Sequence, residues 1–220
     1  MNVFDRLCAL SRRVYSSSEE LANTVSHGIG LIAALIGAPI LLLAAHHNGG
    51  GFFVGTIVFT VTMSGLYLAS MLYHAWPQTR AKYVLQVLDH SAIFFLIAGT
   101  YTPFALGPLR GAWGTTVLGI VWAVAIFGVI VKVVRGTSSH RKFALSLYLG
   151  MGWSGLIIIR PLIPSVPLTA IFWLVAGGLA YTIGVLFFVN ERLRYAHFAW
   201  HLFVLAGTSC HFVALFACTT

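Results

Sequence analysis

The sequence is poor in charged residues. Of its 220 residues only 8% are charged, whereas 59% are hydrophobic, and the mean hydropathy is +0.90. Soluble globular domains carry about a quarter charged residues, so the composition excludes that class. Runs of about 18 or more apolar residues are typical of membrane-spanning helices, and the chain contains several.

Cysteine is scarce, and no cleavable leader is expected. The three cysteines have no C-x-x-C spacing, which indicates unpaired thiols. The N-terminus has no apolar stretch of signal-peptide length, so we expect it to be retained. Residues 1–18 are predicted to form a cytoplasmic tail. Its apolar residues recur at helical spacing beside three arginines, which suits either a short helix on the membrane surface or a plain polar tail.

Seven apolar stretches are each close to the ~20 residues that a helix needs to cross a bilayer. They are continuously apolar without strict alternation, which favours helices over a barrel. The fold class is therefore all-α, a seven-transmembrane helix bundle that forms one domain over 1–220. The predicted spans are 21–45, 52–76, 84–106, 112–134, 143–160, 166–189 and 196–218.

The basic residues predict the orientation of the bundle. Eleven of the 13 fall in the N-terminal tail and in the second, fourth and sixth loops, leaving Arg110 and Arg160 on the other side. By the positive-inside rule the N-terminus is cytoplasmic and the C-terminus external. This spread of charge argues against nucleic-acid binding. A retinal protein is excluded because span seven has no lysine. A G-protein-coupled receptor is excluded because such receptors have an external N-terminus, the reverse of the orientation predicted for this chain.

Polar side chains within the spans collect near the cytoplasmic face. Such groups are costly in hydrocarbon and are functional candidates by default. At 1.5 Å per residue they all fall in the cytoplasmic third of the bilayer. They are Glu20, Asn23 and His27 of span one, Ser70 and His74 of span two, Asp89 of span three, and His197 and His201 of span seven.

This shared depth predicts a metal site. His197 and His201 are four residues apart and share a helix face, and His74 can supply a third imidazole. Catalytic zinc commonly has three protein ligands and a water. The residues between the two histidines lack the glutamate that zinc proteases use as a base, so Asp89 is predicted to hold the water.

Each residue also has a simpler interpretation. An interfacial histidine or an isolated His-x-x-x-His pair commonly has no metal-binding role. The common depth of His74, His197, His201 and Asp89 is what favours a metal site. The Ser17-Ser18-Glu19-Glu20 segment predicts a capping box before span one. Glu20, Asn23, His27 and His211 are expected to surround the ligands without binding the metal, Asn23 and His27 through hydrogen bonds. His211 lies two to three turns deeper than His201, too far for direct ligation.

Several motifs in fixed order resemble one family. The segments ANTVSHGIG, SMLYH, LDHSAIFFLIAGTYTPF, LGMGW and HFAWHLFVLAGTSCHF are similar to those of bacterial hemolysin III proteins, the prokaryotic branch of the progestin and adipoQ receptor family. The resemblance implies zinc held by His74, His197 and His201. It also implies that Ser70 and Asp89 lie beside the zinc-bound water and that His211 is the third histidine of helix seven.

Three functions remain open at this point. The first is an intramembrane zinc hydrolase of lipid amides or esters, similar to the ceramidase-like activity proposed for receptor members. The second is a non-enzymatic, zinc-stabilised regulator of membrane lipid state, and the third is a pore-forming cytolysin. All three are expected in the bacterial inner membrane, with membrane lipid as substrate or ligand.

Topology is the first testable prediction. Reporter fusions at the two ends of the chain should report a cytoplasmic N-terminus and an external C-terminus, because the basic residues divide 11 to 2. The measurement is the activity of a pair of reporters, one active only in the cytoplasm and one only outside it. Both termini on one side would contradict the seven-span arrangement.

Overall fold

The structure is a computed structural model that describes residues 15–137, 141–190 and 192–219, without the side chain of Arg141. The predicted surface helix of the N-terminal tail, and Cys8 with it, lie outside the described residues. Cys210 and Cys218 are half-buried free thiols, as their spacing indicated.

The described residues are helical almost throughout, and within them seven segments are long and apolar enough to cross a membrane. The prediction of an all-α seven-helix membrane bundle is confirmed. The fifth span contains two α-helices, so the described residues form eight α-helices. They are α1 Ser17–Ala45, α2 Gly50–Ala75, α3 Arg80–Leu106, α4 Ala112–Arg135, α5 Arg141–Trp153, α6 Gly155–Leu162, α7 Leu168–Val189 and α8 Ala196–Ala217.

The N-cap of helix α1 lies one residue before the predicted Ser17. The N-cap is Ser16, whose hydroxyl accepts from the Glu19 backbone while the Glu19 carboxylate accepts from the Ser16 backbone. The predicted capping box with Ser17 and Glu20 is therefore wrong by one position. The shift has a consequence, because it leaves the Glu20 carboxylate available for other helices.

Short loops make neighbouring helices pack side by side. Helix α1 packs on α2, α2 on α3, α3 on α4 and α7 on α8, and α1 also packs on α8, which brings the first and last spans together. Leucine, isoleucine and valine side chains on the outer faces remain exposed to the lipid. The contact between α1 and α8 matters most here, since both carry candidate site residues.

The predicted uninterrupted fifth span, 143–160, is broken in the structure. Helix α5 ends at Trp153 and α6 starts at Gly155. The Tyr101 hydroxyl of α3 lies 2.7 Å from the Met151 carbonyl oxygen and 2.9 Å from that of Gly152. Irregular backbone at membrane depth is tolerated where another protein group satisfies it, and Tyr101 does so.

Close approach of α2 to α3 gives the second prediction. A Cβ on Gly55 would overlap the backbone of Thr102 and Pro103, whereas a Cβ on Gly65 of the same helix would meet nothing. Gly55→Ala should therefore destabilise the protein by about 1–3 kcal/mol through overpacking. Gly65→Ala should be neutral or stabilise it by up to about 1 kcal/mol. Thermal unfolding in one detergent measures both, and equal midpoints would contradict the packing.

Candidate metal centre

Three histidines from two helices meet near the end of α2 and the start of α8. Each of His74, His197 and His201 offers a ring nitrogen, and these three atoms lie within 4.8 Å of one another. The ring centroids are 5.1 Å apart for His74 and His197, 5.0 Å for His74 and His201, and 4.7 Å for His197 and His201. All three side chains are buried.

The Nδ1 atom of His74 is held by a carboxylate. It lies 2.6 Å from Oε2 of Glu20, and because a carboxylate accepts, Nδ1–H is the donor. The other Glu20 oxygen accepts from Lys82 Nζ at 2.8 Å. Lys82 also donates to the Trp76 carbonyl at 3.0 Å and lies over the Tyr73 ring. One carboxylate of α1 thus joins the end of α2 to the start of α3.

The Nδ1 atom of His201 is held by α1 as well. It lies 3.3 Å from the Asn23 carbonyl oxygen and 3.1 Å from the Ser26 hydroxyl, which itself donates to Asn23. A carbonyl oxygen can only accept, so Nδ1 of His201 carries the proton. The Asn23 side-chain amide lies 3.4 Å from Nδ1 of His74, so this one residue contacts two of the histidines.

These contacts determine which nitrogen each ring can offer to a metal. With Nδ1 protonated on His74 and His201, the lone pair of each neutral ring is on Nε2. The Nε2 atom of His74 is buried and has no hydrogen-bond partner among the described residues. Metal-binding histidines characteristically donate their other ring N–H to a carboxylate or backbone carbonyl. The arrangement therefore fits zinc, which binds neutral imidazole.

Two aromatic rings pack against the histidines. His27 stacks on His201 with ring centroids 3.6 Å apart and planes 7° apart. Tyr15, just before α1, has its ring 5.6 Å from that of His74 and 5.0 Å from that of His197. His27 thus lies beside one ligand candidate, and Tyr15 covers the other two.

Asp89 and Ser70 lie next to this cluster. Together with His27, His90, His197 and His201 they line a cavity of about 20 Å³, roughly the space that one water occupies. The Ser70 hydroxyl is buried and lies beside the Asp89 carboxyl group. Asp89 is also buried. The site therefore combines three imidazoles, a carboxyl group and a hydroxyl around a water-sized space.

A larger, mostly apolar cavity of about 170 Å³ adjoins the small one. Leu66, Ile93, Trp200 and Val204 line both cavities and form the boundary between them. The broken fifth span forms part of the wall of the large cavity. An apolar compartment thus lies directly beside the polar site.

The chain matches a known protein family over most of its length. The haemolysin-III related family matches residues 15–212. The chain belongs to the haemolysin III family. It is similar to the hemolysin-3 homolog of Bacillus subtilis (strain 168), with 38% identity over 209 residues, 93% of this chain and 97% of the relative. It is also similar to Hemolysin-3 of Bacillus cereus, with 39% identity over 204 residues, 92% and 93% of the two chains.

A more distant similarity reaches animals. The human monocyte to macrophage differentiation factor is 26% identical over 209 residues, 90% of this chain and 83% of the relative. It belongs to the progestin and adipoQ receptor family, so the predicted kinship with that family is confirmed. No solved structure matches the chain at comparable significance.

One predicted site residue of this haemolysin III protein lies apart from the others. His211 is ten residues beyond His201 on α8, about 15 Å along the axis, and its Nε2 lies 3.3 Å from the Leu174 carbonyl oxygen. Its ring packs against Tyr181. Glu20 and Asn23 hydrogen-bond to histidines of the cluster, whereas His27, which was expected to form hydrogen bonds there, stacks on His201.

Two residues of the site were not predicted from the sequence of this haemolysin III protein. Lys82 was counted as a loop charge, yet it is buried and ion-paired with Glu20. Ser26, which lies between Asn23 and His27 in the sequence, was not predicted as a site residue, although its hydroxyl contacts His201. The spacing of Ser26 three residues after Asn23 was a signal for a shared face, whereas nothing in the sequence distinguished Lys82 from a solvated lysine.

Proposed function

We propose that this haemolysin III protein is a zinc-dependent hydrolase of membrane lipid amides or esters. The observation that carries the proposal is the convergence of three histidine nitrogens while Glu20 and Asn23 occupy Nδ1 of His74 and His201. Histidine, neutral and hydrogen-bonded in this way, is the usual ligand of catalytic zinc. The bacterial relatives and the helical spans support a multi-pass protein of a bacterial membrane, and the proposal places it in the inner membrane as a single domain.

In the proposed reaction, His74, His197 and His201 hold zinc. Zinc, when bound, polarises a substrate carbonyl and makes water easier to deprotonate. Asp89, beside the water-sized cavity, accepts the proton of the attacking water and returns it to the leaving group. Ser70 orients the water or the carbonyl oxygen by a hydrogen bond. The adjoining apolar cavity accommodates part of the acyl chain, and burial there keeps bulk water away from the reacting carbonyl.

A non-enzymatic role has its own support. The hydrogen bonds of His74 and His201 tie α2 and α8 to α1. Zinc bound to these histidines would strengthen the connection between the helices, as a zinc-stabilised regulator requires. The name of the Bacillus cereus relative, Hemolysin-3, bears on the third alternative, a cytolysin. Lysis of erythrocytes by the purified protein, independent of zinc, would favour that alternative over both others.

The third prediction concerns the metal. His74→Ala, His197→Ala and His201→Ala should each lose zinc, because each removes one of three ligands, while His211→Ala should retain it. Metal content per mole of purified protein, measured by elemental mass spectrometry, distinguishes the two groups. Equal zinc in wild type and the three ligand variants would rule out the site.

The fourth prediction separates hydrolase from regulator. Asp89→Asn preserves size and removes basicity, so it should retain zinc but lower lipid hydrolysis by about 10²-fold or more, the usual effect of removing a positioned base. Zinc content and fatty-acid release from amide and ester lipids are measured on the same preparations. Full zinc without product formation by the wild-type protein would instead support the regulator. Loss of zinc in Asp89→Asn would make Asp89 a ligand.

A further inference from the structure

The Glu19 carboxylate bonds to the starts of two helices. Its Oε2 accepts from the Ser16 backbone at 3.1 Å and from the Ser16 hydroxyl at 2.8 Å, which completes the capping box of α1. Its Oε1 accepts from the Tyr195 backbone at 3.0 Å. Ser16 and Tyr195 are the N-cap residues of α1 and α8. One side chain therefore binds the N-cap N–H of both the first and the last span.

Helix α8 has no equivalent group of its own. Its N-cap residue, Tyr195, makes no side-chain capping bond, and the position where a capping box places glutamate is occupied by Phe198. Tyr195 also adopts a left-handed backbone with φ of 58° and ψ of 17°. That conformation is unfavourable for a residue with a Cβ and persists where the surroundings enforce it. The bond from Glu19 is such a constraint.

The constraint lies next to the metal centre. His197 is the second residue of α8, two positions after Tyr195, so the direction in which α8 starts determines where its imidazole lies. On the other face of the first turn of α1, Glu20 holds His74. Two adjacent glutamates thus connect α1 to the two helices that carry the three histidines.

We propose that Glu19 is a positioning residue for the metal centre. From α1 it caps the start of α8 and thereby holds His197 in place. This inference rests on the proposed zinc site, and it assigns Glu19 no contact with the metal. Because the carboxylate binds Ser16 and Tyr195 through different oxygens, its two roles can be separated by substitution. Ser16→Ala removes the hydroxyl of the α1 cap and leaves the bond to Tyr195 intact. Glu19→Gln removes the charge and keeps an oxygen that can accept from Tyr195.

The fifth prediction tests this separation. Zinc affinity is measured on the full chain in detergent by competition with a fluorescent chelator, alongside thermal unfolding of the metal-free protein. Glu19→Ala should weaken zinc binding by about 10-fold or more, the range found for groups that orient metal ligands. Ser16→Ala and Glu19→Gln should remain within about 3-fold of wild type. Adding Tyr195→Gly to Glu19→Ala should restore part of the affinity, because glycine adopts positive φ without strain.

The outcomes are distinct. If Glu19→Ala lowers the unfolding temperature as Ser16→Ala does but leaves zinc affinity unchanged, Glu19 is only a helix cap and the inference is wrong. If wild-type protein binds no zinc, the proposed function fails before the role of Glu19 is reached. Should Glu19→Ala not fold, Glu19→Asp keeps the charge but is one methylene too short to reach both helices. It should then show the weakened affinity, and wild-type affinity in that variant would overturn the inference.

Discussion

The ion pair between the half-buried Glu20 and the buried Lys82 is the interaction on which the polar end of the bundle depends. A carboxylate in a membrane protein interior is costly unless it is paired and hydrogen-bonded. Here one oxygen accepts from Lys82 and the other from His74. Three helices are thereby brought together at one level. The pair also determines the tautomer of His74, and so which nitrogen that ring offers.

The histidine cluster follows from elementary helix geometry combined with membrane depth. A spacing of four places His197 and His201 on one face of α8. His74, one residue before the end of α2, enters at the same level because α2 crosses in the opposite direction to α1. For this reason the sequence alone could predict which histidines meet. It could also predict that His211, ten residues further along α8, does not join them.

Other parts of the site depend on one-residue shifts and on tertiary contacts that local patterns do not encode. Whether Ser16 or Ser17 caps α1 decides which of two adjacent glutamates caps the helix and which reaches His74. Both serines suit the cap by residue type, so residue type alone could not show that Ser16, and not the predicted Ser17, is the cap. Burial of Lys82 depends on the approach of α1 to α3, and the break after Trp153 depends on the Tyr101 hydroxyl supplied by another helix. Neither partner lies near in sequence.

The unequal lengths of the helices have a consequence for the membrane around them. Helix α1 has 29 residues, or about 43 Å, whereas α8 has 22 residues, or about 33 Å. A hydrocarbon core is about 30 Å thick, and a longer helix accommodates it by tilting. A thinner or thicker bilayer would change the tilt of these two helices by different amounts. The bonds from Glu19 and Asn23 to the start of α8 would oppose that relative rotation at the level of the histidines.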